Sequence, residues 1–168
     1  DVTESLAKLV KKGKIGNIGY SEIAPSSLVR ATAAHHIAAV QSEYSLSTRS
    51  SEMGLLQACK KLGTALVAFS PVGRSFLTDS PLSYKFAQTL DFTKNNPRFM
   101  QPNYNSNITI TNGFRGYAND HGVATSTLAI AWLLAKGEHI IPIPGTRSSA
   151  HLRELAAAMD FNMTSKII

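Results

Sequence analysis

Hydrophobic positions along the chain alternate between two rhythms. Val2, Leu6, Leu9 and Val10 share one face of a helix expected over residues 1–12, which Gly13 stops. Ile15–Tyr20 then predicts a short strand, with Ser21 and Glu22 as the loop after it. Pro25-Ser26-Ser27 opens a second helix through Leu28, Val29, Ala31 and Ala34, ending at His35-His36. Ile37–Val40 predicts the second strand, with Gln41 to Ser45 running off its end. Met53–Leu62, closed by Gly63, predicts a helix, and Ala65–Phe69 a third strand. A long connection follows over Ser75–Asn107, then a helix at 107–119 weakened by Gly113 and Gly116. Ser126–Lys136 predicts a firm helix, residues 140–143 a last strand and 150–158 a last helix.

The order is a helix followed by four strand–helix units. Short apolar strands separated by amphipathic helices predict a parallel sheet with both faces covered, in an α/β fold. Polar residues recur after each strand: Ser21 and Glu22, Gln41, Ser70 and Arg74, Thr146 and Arg147. In parallel α/β folds that is the ligand end of the sheet. A Rossmann sheet would carry G-x-G-x-x-G after its first strand, and Gly16-x-x-Gly19 inside a strand does not fit it.

The last strand end holds the most suggestive chemistry. Pro144-Gly145-Thr146-Arg147-Ser148-Ser149 leads into a helix, whose free N–H groups and dipole favour an anion. Arg147 adds a planar fork of donors that stays charged at any working pH.

Composition narrows the field. The chain has 168 residues, 43% of them hydrophobic, and a net charge of +6, enough for a packed core. Lys11, Lys12 and Lys14, and Lys60 with Lys61, sit at helix ends, and no aromatic–basic stripe points to nucleic acid. A phosphorylated small molecule suits the excess better. Cys59 is the one cysteine, set among Leu55, Leu56 and Leu62 as a core residue, and no zinc spacing occurs. No run is long and apolar enough for a membrane span or signal peptide, which makes the cytoplasm the expected compartment.

Five stretches make the sequence specific: LVKKGKIGNIGYSE at 9–22, AAVQSEYSL at 38–46, LGTALVAFSPVGRSFLT at 62–78, DFTKNNPRF at 91–99 and LAIAWLLAKGEHIIPIPGTR at 128–147. In this order they resemble the carboxyl-terminal half of aldo-keto reductases, nearest the aryl-alcohol and general aldehyde reductases. The resemblance implies a TIM-type (β/α)8 barrel, of which residues 1–168 form a partial domain of four βα units with a long loop at about 74–107. It also implies bound NADPH and hydride transfer to an aldehyde or ketone. The family's catalytic Asp, Tyr, Lys and His lie on the first four barrel strands and match no position here, so the expectation is no catalytic residue and no activity alone. Relatives commonly continue beyond Lys166-Ile167-Ile168 into a final helix.

Cofactor binding is what the resemblance carries over. Ser21 and Gln41 match the residues that hydrogen-bond the nicotinamide carboxamide, and Phe69 stands where a tyrosine often stacks on the ring. Ser70, Pro71, Val72, Gly73 and Arg74 match the loop beside the pyrophosphate. Gly145, Thr146 and Arg147, with His151 and Glu154, match the segment around the 2′-phosphate, and Arg147 favours NADPH over NADH. Leu155 replaces an asparagine that commonly meets adenine. Simpler roles stay open: Ser21 as a helix cap, Gln41 satisfying buried backbone, Phe69 and Glu154 in packing. The expected partners are a small carbonyl substrate and either a missing amino-terminal half barrel or a second copy. A half barrel that binds NADP(H) or a partner without chemistry is the alternative.

Overall fold

A computed structural model describes residues 2–163, so Asp1 and the tail at 166–168 lie outside the described residues. The chain divides into two units, one of residues 2–71 and 133–145, the other of 72–132 and 146–163.

The first unit is built on a four-stranded parallel sheet in the order β1-β2-β3-β4, with β1 Gly19–Ser21, β2 Ala39–Glu43, β3 Ala65–Phe69 and β4 Ile140–Pro142. Helices α1 (Val2–Lys11), α2 (Pro25–Ala34) and α3 (Leu55–Leu62) connect or precede the strands. Val40, Ser42, Leu66, Ala68 and Ile140 turn one face of the sheet into the core, with Leu28, Ile37 and Cys59. Burial of Cys59 pushes its thiol up to about 11, as expected of a packing residue. Gly63 closes α3 in the left-handed conformation, φ 66°, and its N–H meets the carbonyls of Cys59 and Lys60.

The other face differs from the expectation of a sheet covered on both sides. Gln41 is exposed, Val67 and Phe69 are half-buried, and Ile141 keeps 49% of its surface. Strands in a closed barrel fill this face with layers of side chains drawn from strands all round. Among the described residues only four strands contribute, so the layer stays open.

Two strand boundaries move for the same reason. The first strand is Gly19–Ser21 rather than 15–20, and the second is Ala39–Glu43 rather than 37–40. Ser21 and Gln41, expected in loops, therefore lie within the strands. Apolarity marks the buried rows, whereas the ends of these strands carry polar residues on the open face. Pairing begins only where the neighbouring strand runs alongside, and at Gly19 an added Cβ would sit 3.3 Å from the Ala39 carbonyl oxygen.

The second unit holds the stretch expected as one long connection. It contains α4 (Tyr84–Ala87), α5 (Asp91–Lys94) and the start of α6, which runs Asn103–Asp120 and so begins before the expected residue 107. Tyr104, Thr111 and Ala118, at a spacing of seven, give α6 a buried stripe that outweighs its two glycines. Phe76, Ala87, Phe99 and Tyr104 form a cluster here, with the rings of Phe76 and Phe99 stacked at 4.5 Å. Arg115 of α6 donates to the carbonyls of Phe76 (2.9 Å), Thr78 (3.4 Å) and Ile108 (3.2 Å). One guanidinium thus ties the residues around Phe76 to the middle of the helix.

Helix α7 (Thr125–Ala135) starts in this unit and is buried from Thr125 through Leu133. Asp79 caps it, accepting from the Thr125 N–H at 3.2 and 3.3 Å and from the Thr125 hydroxyl. Helix α8 (Ser149–Ala156) completes the unit. Among the described residues no helix is long and apolar enough to cross a membrane.

Candidate functional site

The strand register brings three of the expected residues onto one surface. Ser21 pairs with Gln41, Gln41 with Val67 and Val67 with Ile141, a single row across the open face. Phe69 pairs with Glu43 in the row beyond, on the same face, because side chains two apart on a strand share a side. Ser21 and Gln41 are exposed, and their side chains make no hydrogen bond among the described residues. The simpler roles for these two therefore do not operate: Ser21 caps no helix, since the residue before α2 is Ala24 with no side-chain cap, and the Gln41 amide satisfies no buried backbone. A neighbouring hydroxyl and amide, with an aromatic face one row on, fit a flat ring bearing a carboxamide.

The backbone bends sharply just past these positions. Glu22, immediately after β1, has φ 52°, and Ser70, immediately after β3, has φ 50°. Left-handed backbone at a residue other than glycine costs about 1–3 kcal/mol and gathers at functional sites. Glu22 is held by its N–H on the Gln41 carbonyl oxygen (2.9 Å) and by its carboxylate, which accepts from the Glu43 N–H (2.9 Å). Pro71 is buried and Ser70 half-buried at the end of the first unit.

In the second unit Val72 is half-buried, and Gly73 and Arg74 both have positive φ, 58° and 52°, in a 3-10 turn. Further on, Ser148 caps α8, its hydroxyl accepting from the His151 N–H at 3.4 Å. The Thr146 hydroxyl accepts from the Ser148 N–H at 3.1 Å, which sets the approach to the helix. With the Ser148 cap on His151, the N–H groups of Ser149 and Ala150 stay available in the first turn. Arg147 is exposed and has no hydrogen bond or ion pair among the described residues. Its guanidinium beside a helix N-terminus suits a phosphate dianion. Gly145 and His151 are exposed. Glu154 is half-buried and faces α7: its carboxylate accepts from the Ser126 hydroxyl at 3.4 Å and its carbonyl from the Thr127 hydroxyl at 2.6 Å. That geometry makes Glu154 an anchor of α8.

A further polar cluster has little signature in the sequence. Tyr44, wholly buried beyond the end of β2, donates to Glu52 (2.8 Å), and Arg49 grips the same carboxylate with two bonds of 2.9 and 2.7 Å. Arg49 and Glu52 are three apart, a spacing that signals such a pair, but nothing in the sequence links Tyr44 to it.

A parallel sheet in the sequential order β1-β2-β3-β4, with the candidate residues at its carboxyl ends, is an α/β arrangement that suits part of a barrel. The sequence model described as Aldo/keto reductase family matches residues 1–168, and the chain belongs to that family. A probable aldo-keto reductase 1 of Glycine max is 37% identical over 161 residues, covering 96% of this chain and 46% of that protein. The aldo-keto reductase yakc [NADP(+)] of Schizosaccharomyces pombe is 33% identical over 167 residues, covering 98% of the chain and 49% of its own length. Among solved structures, the glycerol dehydrogenase AKR11B4 of Gluconobacter oxydans shares the fold with a TM-score of 0.84 at 22% identity, over 98% of this chain and 50% of that one. An aldo/keto reductase of Klebsiella pneumoniae in complex with NADP and acetate does so with a TM-score of 0.70 at 23% identity, over 98% and 50%. The chain thus spans about half the length of the relatives it matches.

Proposed function

We propose that this chain supplies the NADPH-binding half of a reductase that acts on aldehydes or ketones. The observation that carries the reading is the row of unpartnered polar side chains, Ser21 and Gln41, at the carboxyl ends of parallel strands in a member of this family. Ser21 and Gln41 would hold the carboxamide and Phe69 would lie against the ring, which fixes the face offered to the substrate. Ser70, Pro71, Val72, Gly73 and Arg74 would follow the pyrophosphate. Thr146, Arg147 and the first turn of α8 would take the 2′-phosphate, with Gly145 leaving room and His151 at the rim. Bound NADPH supplies the hydride that such a reduction needs.

The rest of the proposal concerns what completes the barrel. Among the described residues β1 and β4 each pair on one side only, and an unpaired strand edge is a template for another strand. An amino-terminal half barrel bearing the proton donor fits those edges, and in a reducing cytoplasm Cys59 stays a buried thiol. Isothermal titration of the chain with NADPH and NADH tests the cofactor reading. NADPH should bind more tightly, and Arg147→Ala should remove the preference by costing about tenfold for NADPH and little for NADH. Equal affinities in the unmodified chain would overturn the role of Arg147.

A further inference from the structure

The ladder between β1 and β2 ends in an exchange of a side chain for a backbone group. In a parallel pair, the residue whose N–H meets the Gln41 carbonyl offers its own carbonyl to the N–H of Glu43. Glu22 makes the first of these bonds, at 2.9 Å, but its φ of 52° turns the chain out of the sheet. The Glu43 N–H is met instead by Oε1 of the Glu22 side chain, also at 2.9 Å.

From this we infer that Glu22 is a positioning residue for the carboxamide end of the cofactor site, its carboxylate replacing the strand carbonyl that the turn removes. Its N–H and carboxylate grip β2 on either side of Ser42; Ser21 directly precedes Glu22, and Gln41 itself accepts the first of these bonds. The bridge therefore fixes the spacing of the hydroxyl and the amide at the last paired position of the strands. Without the carboxylate, β1 would hold β2 through one bond fewer just where both must present a ligand group. A small residue there would satisfy the turn more cheaply, since glycine adopts positive φ freely. The carboxylate at this strained position is explained by the bridge. Hydrogen bonds to charged groups are among the stronger ones, and misplacing a binding group by a fraction of an ångström is felt in affinity.

The inference rests on the cofactor reading above, and the test separates the two. The full chain is titrated with NADPH and with adenosine 2′,5′-bisphosphate, which lacks the nicotinamide, before and after Glu22→Gly and Glu22→Gln. Glu22→Gly keeps the turn and removes the bridge; Glu22→Gln keeps an acceptor and removes the charge. The expected result is NADPH binding weakened about three- to tenfold by Glu22→Gly, restored to within about twofold by Glu22→Gln, with the bisphosphate unaffected by either. Unchanged NADPH affinity in Glu22→Gly would overturn the inference, as would an equal loss for both ligands. A starting chain that binds neither ligand would bring down the cofactor reading itself, and this inference with it.

Discussion

The hydroxyl of Tyr44, a side chain with no solvent exposure, donates to Oε1 of Glu52 at 2.8 Å, eight residues further along the chain. Arg49 clamps both oxygens of the same carboxylate. Three side chains thus fold the segment after β2 back onto itself, and Ser51 adds a bond from its hydroxyl to the Glu43 carbonyl oxygen at 3.3 Å.

This cluster makes stability depend on pH at both ends of the scale. The bonds from Arg49, and then that from Tyr44, hold the Glu52 carboxyl below its ordinary value of 4.5, against the opposing effect of its partial burial. A lowered carboxylate contributes stability that is complete above the unfolded value and is lost as the pH falls through the folded one. The urea midpoint should therefore drop as the pH is taken from 6 to about 3, and Glu52→Gln should flatten part of that slope. Tyr44 is raised above 10.0, mainly by burial and further by Glu52, so its contribution is complete below that value and fades as the pH climbs past it. Tyr44→Phe should remove part of the alkaline loss. Slopes identical to those of the unmodified chain would refute the assignment.

Asp79 should matter more than its exposed position suggests. Its carboxylate meets the N–H and hydroxyl of Thr125, at the positive end of a helix buried through Leu133. Asp79→Ala should cost about 1 kcal/mol in denaturant unfolding, and Asp79→Asn a few tenths, because an amide oxygen still accepts. A neutral Asp79→Ala would show that water caps the helix as well.

These two clusters mark where the sequence stops being legible. Helix α7 and the apolar third strand follow from local pattern, and the third strand begins and ends where expected. Long-range polar contacts leave no such trace: Asp79 and Thr125 lie 46 positions apart, and the bond from Arg115 to the Phe76 carbonyl spans 39. Ser21 and Gln41 stand out in the sequence as polar residues at strand ends and take their expected roles from the family resemblance, whereas their place inside the strands comes from register. A polar residue that ends a strand reads as a loop when one looks for apolar runs. The stretch over 75–107 carries little periodic signal for a related reason, since its aromatic cluster draws Phe76 from a turn, Ala87 from a four-residue helix, Phe99 from a 3-10 turn and Tyr104 from the start of α6.

Arg115 should prove hard to replace. Its two terminal nitrogens and Nε reach three carbonyls, the Thr111 hydroxyl (2.9 Å) and the Asn112 side chain (2.8 Å). A lysine offers three donors from one point and cannot span them. Arg115→Lys should destabilise the second unit by about 1–2 kcal/mol and Arg115→Ala by about 2–3, with faster proteolysis around residues 76–111. Cleavage rates unchanged in both variants would show that the aromatic cluster holds this segment unaided.

The last prediction uses the anchor of α8 to test the phosphate end of the proposed site. Thr127 is buried and donates to the Glu154 carbonyl oxygen at 2.6 Å, and Ser126 reaches the Glu154 carboxylate. Both bonds fix the last turn of the helix whose first turn follows Arg147. Thr127→Val keeps the volume but removes the donor, leaving the Glu154 carbonyl to find another partner at a cost of about 1 kcal/mol. If Arg147 and the first turn of α8 take the 2′-phosphate, looser seating of the helix should weaken NADPH and adenosine 2′,5′-bisphosphate together, by about threefold each. This is the opposite of the pattern expected at Glu22, where only the ligand carrying the nicotinamide responds. Titration of one variant from each end with both ligands therefore distinguishes the two ends of the cofactor. Loss of NADPH binding alone in Thr127→Val would remove the phosphate from α8.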